Sequence, residues 1–345
     1  MREIGSFFEY PNVGDLGNSP VEREFLKDAH LLASGRDAFA FLGKLLGRRK
    51  MLVPDYFCPH TASFISKYFD IERYKDTPGE PPVLNTLSKG CVLLAVNTFG
   101  MHNPGRCDIG KLRNDIILIE DHSHAPFSKY AYESSADYCI ASLRKTLPLG
   151  SGAYLKPKAN MPALQILGDG ENQDAIFYKA ARKKKSYLNE GLGNKLEFLS
   201  LFNELEDIVE NNSSVRAMGR ESRDMLLALN IRKLQNIRAD NFFLFKGIVN
   251  VPLLNKNIAE ANSVFNPVLL LDSLKIRDAL RRHLIEEKIY PPIHWSPLGA
   301  GDISKESKSL SERVLTIPLD HRYSKSEVER VAKVINTFLY SKLGK

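Results

Sequence analysis

The chain has 345 residues, 43% of them hydrophobic and 26% charged, so it is long enough for more than one core and unlike a disordered polymer. Its net charge of +7 is a mild excess that fits an anionic ligand or simply a basic surface. Nowhere do eighteen apolar residues run together, and the start, Met1-Arg2-Glu3-Ile4-Gly5, lacks an apolar core of signal-peptide length, so neither a membrane span nor a secretory leader is expected.

The four cysteines (Cys58, Cys91, Cys107 and Cys139) form no C-x-x-C pair and no zinc spacing, which points to reduced thiols and a cytoplasmic compartment. The densest basic run, Arg182-Lys183-Lys184-Lys185, has helical surroundings and no interleaved aromatic residues. It reads as a solvated helix face and not as a nucleic-acid groove, so no nucleic-acid partner is expected.

In chain order, residues 1–30 read as an irregular arm broken by Pro11, Gly14, Gly17 and Pro20. Ser34-Gly35-Arg36-Asp37 then opens a helix carried by Ala38, Phe39, Phe41, Leu42, Leu45 and Leu46. Short apolar runs follow: 51–53 ending at Pro54, 91–96 ending at Asn97, 115–119 ending at Glu120-Asp121, and 138–141 ending at Ser142. Runs without alternation predict strands buried on both faces, hence a mostly parallel sheet flanked by helices. Polar residues gather just past the strand ends, where such sheets bind ligands.

Residues 171–247 read as largely helical, with an amphipathic stretch at 196–209 and another helix from Glu221 to Leu229. Further on, a helix over 273–287, strands at 268–271 and 314–317, and a helix opened by the capping box Ser324-Lys325-Ser326-Glu327 describe a smaller α+β unit. The expected division is an arm (1–30), a large α/β domain (31–215) and a small C-terminal α+β domain (216–345).

Chemistry concentrates between Ile117 and Leu155. A carboxylate at one strand end, Asp121, and a lysine just past the neighbouring one, Lys145, would face the same crevice. That pair suits pyridoxal 5'-phosphate. A desolvated lysine amine condenses with the cofactor aldehyde as a Schiff base, and the carboxylate keeps the pyridine nitrogen protonated. Gly35 and Arg36, at a helix start, would offer backbone N–H groups to the phosphate.

These motifs resemble the DegT/DnrJ/EryC1/StrS (sugar-aminotransferase-like) family of fold-type-I pyridoxal-phosphate enzymes, over about Gly35 to Phe338. The match is strongest in Glu120-Asp121-His122-Ser123-His124-Ala125 and in Asp137-Tyr138 through Ser142-Leu143-Arg144-Lys145-Thr146-Leu147-Pro148. The resemblance implies that Asp121 holds the pyridine nitrogen, that His124 lies against the ring or its phenolic oxygen, that Ser142 binds the phosphate and that Lys145 is the catalytic lysine.

It also implies that Ile289-Tyr290-Pro291-Pro292-Ile293-His294-Trp295 approaches the substrate, with His294 as a contact. The implied reaction is ping-pong transfer of an amino group from an amino-acid donor, glutamate or glutamine, to a carbonyl acceptor such as a nucleotide-linked keto-sugar. The enzyme would be a homodimer. Lysine at 145 argues against the family's dehydratase branch, which has histidine there.

Three features depart from the family pattern. Ser142 is two residues closer to the lysine than usual. Cys58 occupies the position of the ring-stacking aromatic, which leaves Tyr56 or Phe57 for that role. Arg36 replaces the usual threonine.

Two rival classes remain. A metal-dependent hydrolase would use Asp121, His122 and His124 and recruit His102, Asp108 or His294, without recognisable spacing. A non-catalytic regulatory protein of the same fold is the other. A nicotinamide enzyme is excluded, since no G-x-G-x-x-G follows a strand. His102 and Asn103 read as loop residues.

Overall fold

A computed structural model describes residues 2–84, 87–101, 115–159, 161, 166–212, 214–299 and 301–343. His102, Asn103, Cys107 and Asp108 lie outside the described residues.

Thirteen strands are described: β1 Ile4–Gly5, β2 His30–Leu32, β3 Lys50–Pro54, β4 Asp70–Tyr74, β5 Val92–Val96, β6 Ile117–Asp121, β7 Tyr138–Ser142, β8 Ala153–Pro157, β9 Gly168–Asp169, β10 Arg216–Ala217, β11 Val268–Leu270, β12 Ile289–Tyr290 and β13 Val314–Thr316. Nine form the central sheet, in the order β4-β3-β5-β6-β7-β8-β2-β10-β9. Pairing is parallel from β4 across to β7, then antiparallel at β7–β8, β8–β2 and β2–β10.

The apolar runs became strands for the expected reason. All five residues of β5 are buried, and each aliphatic side chain so placed contributes about 1.5–3 kcal/mol. From β3 the chain goes to β4 on one side and to β5 on the other, so the order reverses between β3 and β5. The carboxyl ends of β3, β5, β6 and β7 therefore open on the crevice that such a reversal creates.

Helix α2, Gly35–Leu46, follows α1, Pro20–Leu26, and β2. Ser34 caps α2, its Oγ accepting from Asp37 N, and Phe39, Phe41 and Leu42 pack against the sheet beside Val53 and Ile119. In α1, Pro20 occupies the first turn, where its missing N–H costs nothing, so it starts a helix where the sequence reading saw a break.

The C-terminal unit has its own core, with Phe242, Leu269, Leu284, Leu315, Val331 and Ile335 buried together. Its last helix opens on the expected capping box. Ser324 N donates to Glu327 Oε2 at 2.8 Å, and Glu327 N donates to Ser324 Oγ at 3.4 Å. The central sheet reaches past residue 215, since Ala217 of β10 pairs with Leu32 of β2.

The first residues are tied down. β1 pairs with β12, and Phe7 stacks on Phe202 with ring centroids 4.3 Å apart. Lys184 holds this segment. It is buried, not solvated as its basic run suggested, because its amine donates to the carbonyls of Gly5 and Phe7. No described helix is long and apolar enough to cross a membrane.

Candidate active site

Four strand ends and one helix start meet at the crevice. β6 ends at Asp121, which is buried at 7% exposure. One of its oxygens, Oδ1, accepts Ser123 N at 2.8 Å, and Oδ2 takes no hydrogen bond among the described residues. The Ser123 hydroxyl accepts Ser142 N at 2.9 Å, which fixes the ends of β6 and β7 against each other. Lys145 closes the single 3-10 turn Leu143–Lys145 that leaves β7, and its side chain is exposed to the crevice.

The turn after Lys145 is anchored by Asp174, whose Oδ1 accepts Ser151 N at 2.7 Å and the Ser222 hydroxyl at 2.5 Å. This buried carboxylate fixes the Gly150-Ser151-Gly152 entry into β8, as the small residues there suggest.

His124 is buried, and its Nδ1 accepts the backbone N–H of Phe99 at 2.9 Å. That bond fixes the neutral tautomer with the proton on Nε2. Burial pushes its pKa well below the ordinary value, and the Lys145 and His294 charges push the same way. The His124 ring stacks on Phe265 at 4.2 Å with the planes 9° apart.

His294 is held through Nδ1 by the Thr316 hydroxyl at 2.9 Å. Burial, with a smaller push from Lys145, lowers its pKa to about 3. Two neutral imidazoles thus stand within electrostatic reach of one lysine amine.

At the other end of the crevice, Gly35 begins α2. The amides of Gly35 and Arg36 have no hydrogen-bond acceptor among the described residues, as expected of a first helical turn. A Cβ placed on Gly35 would lie 3.5 Å from Ser142 Cβ, so the helix start and the strand-end serine are neighbours. The Arg36 guanidinium turns away to Glu210 at 3.4 Å and lies over the Phe64 ring. Its backbone, and not its charge, addresses the crevice.

The two aromatic candidates part company. Phe57 lies in the large-domain core with Phe39 and Phe64 and does not join the site residues, because the chain turns it under α2. Tyr56 joins the site's aromatic group, with ring centroids 6.2 Å from Phe99 and 6.0 Å from Trp295. It is fully buried, and its hydroxyl donates to the carbonyl of His294. Neighbouring Asp55 accepts from Ser304 N and the Ser307 hydroxyl, both at 2.9 Å. The end of β3 therefore staples the large sheet to the C-terminal unit.

Sequence reasoning missed Phe99, Phe265 and Thr316 as site residues, and named Trp295 only as part of the 289–295 segment. Phe99 had a local signal in Asn97-Thr98-Phe99-Gly100, directly past β5. Phe99 has φ +58° and Gly100 φ +75°. A Cβ on Gly100 would fall 1.8 Å from Ser263 O, so only glycine lets this loop reach the segment that carries Phe265. Phe265 gave no such signal, being an ordinary residue in distant sequence, and Thr316 was legible only as part of the 314–317 strand.

The donor set fits pyridoxal phosphate. A half-partnered buried carboxylate suits a protonated ring nitrogen, unclaimed helix-start amides beside Ser142 suit a phosphate, and an exposed lysine suits the aldehyde. It fits a metal poorly. His122 is committed to Glu120 at 3.1 Å and to Asn97 at 3.4 Å, while His124 Nδ1 is taken by a backbone N–H. Among the described residues no three metal-ligating side chains converge.

No family model and no curated protein matches the chain. Solved structures do. The putative sugar aminotransferase Spr1654 from Streptococcus pneumoniae is 16% identical, with a TM-score of 0.65 over 99% of this chain and 93% of that one. It has been solved in PLP and PMP forms as well. Helicobacter pylori PseC, an aminotransferase involved in the biosynthesis of pseudoaminic acid, gives 13% identity and a TM-score of 0.66 over 99% of this chain and 100% of that one. A DegT DnrJ EryC1 StrS aminotransferase from Brucella abortus gives 17% and 0.55 over 94% and 92%. The fold is therefore the α/β fold of fold-type-I aminotransferases, as the motifs implied.

Proposed function

We propose that this chain is a pyridoxal-phosphate-dependent aminotransferase with Lys145 as its catalytic lysine. One observation carries the reading. An exposed lysine faces two neutral histidines, and the neighbouring strand ends in a buried carboxylate with one oxygen unclaimed. The fold shared with sugar aminotransferases supports it.

Pyridoxal phosphate, when bound, supplies an aldehyde for the lysine and a ring that takes up the electrons of a broken substrate C–H bond. Asp121 would hold a proton on the ring nitrogen through Oδ2. His124 would donate from Nε2–H to the phenolic oxygen, its own Nδ1 being fixed by Phe99. The Gly35 and Arg36 amides and the Ser142 hydroxyl would hold the phosphate. The Lys145 amine, when free, would take the substrate α-proton at Nζ and hold it for return to the substrate. His294, neutral and fixed by Thr316, would meet the substrate.

The amino group would pass in two half-reactions from glutamate or glutamine to a carbonyl acceptor. A keto-sugar carried on a nucleotide is the favoured acceptor, in line with the sugar aminotransferases that share the fold. We extend the proposal to a homodimer working in the cytoplasm. The same proposal divides the chain into an arm, a large cofactor-binding unit and a small C-terminal unit.

Adding amino donors singly to the cofactor-loaded protein tests this. One of them is expected to bleach the lysine-linked absorption with release of its oxo acid, and a keto-sugar nucleotide to restore it. A protein that takes up no pyridoxal phosphate, or one whose band no donor alters, contradicts the reading.

A further inference from the structure

We infer that Arg238 is a positioning residue that locks the Lys145 turn to the segment covering His124. Arg238 lies mid-way along the helix Ile231–Ile248 and is 4% exposed. A buried cation on a core-facing helix position is costly unless its donors are used. Here they are spent on three different segments. Nη2 donates to Thr146 O, the carbonyl directly after Lys145, at 2.7 Å. Nη1 donates to Phe265 O at 3.4 Å, and the Phe265 ring lies on His124. The third partner is His321 Nδ1, 3.4 Å from Nη2.

His321 is an acceptor here because burial lowers its pKa to about 3 and keeps the ring neutral. Asp320 attracts the Arg238 charge, but both of its oxygens are bound by Arg322. Arg238 therefore has no carboxylate of its own, and burial lowers its pKa to about 10. Its planar fork is spent on backbone carbonyls that belong to the turn past β7 on one side and to the C-terminal unit on the other. A lysine carries its three donors on a single nitrogen and does not reproduce the two-nitrogen fork that meets these carbonyls.

The small cavity beside it, lined by His124, Thr146, Leu147, Gln235, Asn262 and Val264, lies between the same two segments. Arg238 closes one wall of that gap. Its geometric consequence is that the Lys145 turn and the His124–Phe265 stack are tied together by one side chain that hydrogen-bonds neither Lys145 nor His124. The catalytic part of this inference rests on the proposed function, and the lock itself does not.

The test uses the full-length protein and Arg238→Lys, with Arg238→Met as a second variant. Amide hydrogen exchange of the cofactor-free proteins reads the lock. It is expected to rise about tenfold in residues 143–149 and 261–266, and to stay unchanged in 92–96. With pyridoxal phosphate added, the variant is expected to bind about tenfold more weakly, about 1.4 kcal/mol, and to shift the pH midpoint of the lysine-linked band. A merely structural residue would leave that midpoint in place.

Unchanged exchange in the two segments, or a uniform rise across the whole chain, overturns the lock. If Arg238→Met does not fold, Arg238→Lys decides alone. If the wild type takes up no pyridoxal phosphate, the functional proposal fails while the exchange result still decides the lock.

Discussion

Two buried aspartates near strand ends have opposite fates. Asp320, just past β13, is gripped by the Arg322 fork through both oxygens, at 2.8 and 2.7 Å, and accepts Arg322 N at 3.1 Å. Arg322 also reaches Glu9 at 3.6 Å and the carbonyl of Phe7 at 2.8 Å, so this pair ties the N-terminal segment to the C-terminal core. The carboxylate of Asp121, at the end of β6, accepts one backbone N–H and no other hydrogen bond among the described residues. A carboxylate whose lone pairs are all claimed holds a fold together. One left half-claimed in a crevice, beside a lysine, is available to a ligand.

Breaking the satisfied pair has the largest expected effect. Asp320→Asn leaves buried Arg322 with only its longer contact to Glu9 and is expected to cost about 3 kcal/mol in urea unfolding. The Arg322 charge holds the Asp320 carboxyl far below the usual carboxylate range, against burial. Its stabilisation is complete above the unfolded value of about 3.9 and is lost as pH falls below it. Wild-type stability should therefore drop on acidification below about pH 4, and the Asp320→Asn curve should drop less.

Next in size is Gly100→Ala, with an expected cost of about 2 kcal/mol, since an alanine at φ +75° is strained and its Cβ meets Ser263 O. The same variant should weaken cofactor binding, because Phe99 N would move away from His124. Chemical unfolding together with a cofactor titration checks both effects.

A pH-dependent effect is expected at Lys184. Burial, outweighing Glu9, lowers its amine to about 7. The unfolded chain keeps that proton to about pH 10.4, so folding is penalised as pH falls from there to 7 and relieved as pH rises. Wild-type unfolding free energy should climb between pH 7 and 10, and Lys184→Met should flatten that climb.

The smallest effect on stability is expected at Asp121. Asp121→Asn keeps an acceptor for Ser123 N and should leave unfolding within about 1 kcal/mol of wild type. It should nevertheless lower pyridoxal-phosphate affinity about tenfold or more, as a titration of the lysine-linked absorption would read. Equal losses of stability at Asp121 and Asp320 would erase the contrast between them.

The sequence showed the parallel half of the sheet clearly, because strands buried on both faces need unbroken apolar runs such as Val92–Val96. It also placed Asp121, His124, Ser142 and Lys145 in one crevice, since each sits within three residues of a strand end. What it hid was assembled over long range. Phe265 and Thr316 reach the site only through packing of the C-terminal unit, and no local period marks them. The Arg182 to Lys185 run looked solvated because charge alone does not reveal that Lys184 finds the carbonyls of Gly5 and Phe7. Phe57 followed its hydrophobicity into the core beneath α2, whereas Tyr56 kept its place by donating to His294 O.

The central claim is that Lys145 carries the cofactor. Incubating the full-length protein with pyridoxal phosphate, reducing with borohydride and mapping the modified peptide tests it most directly. A single phosphopyridoxyl adduct on Lys145, absent from Lys145→Ala, is expected. An adduct spread over surface lysines, or one that persists in Lys145→Ala, would contradict it.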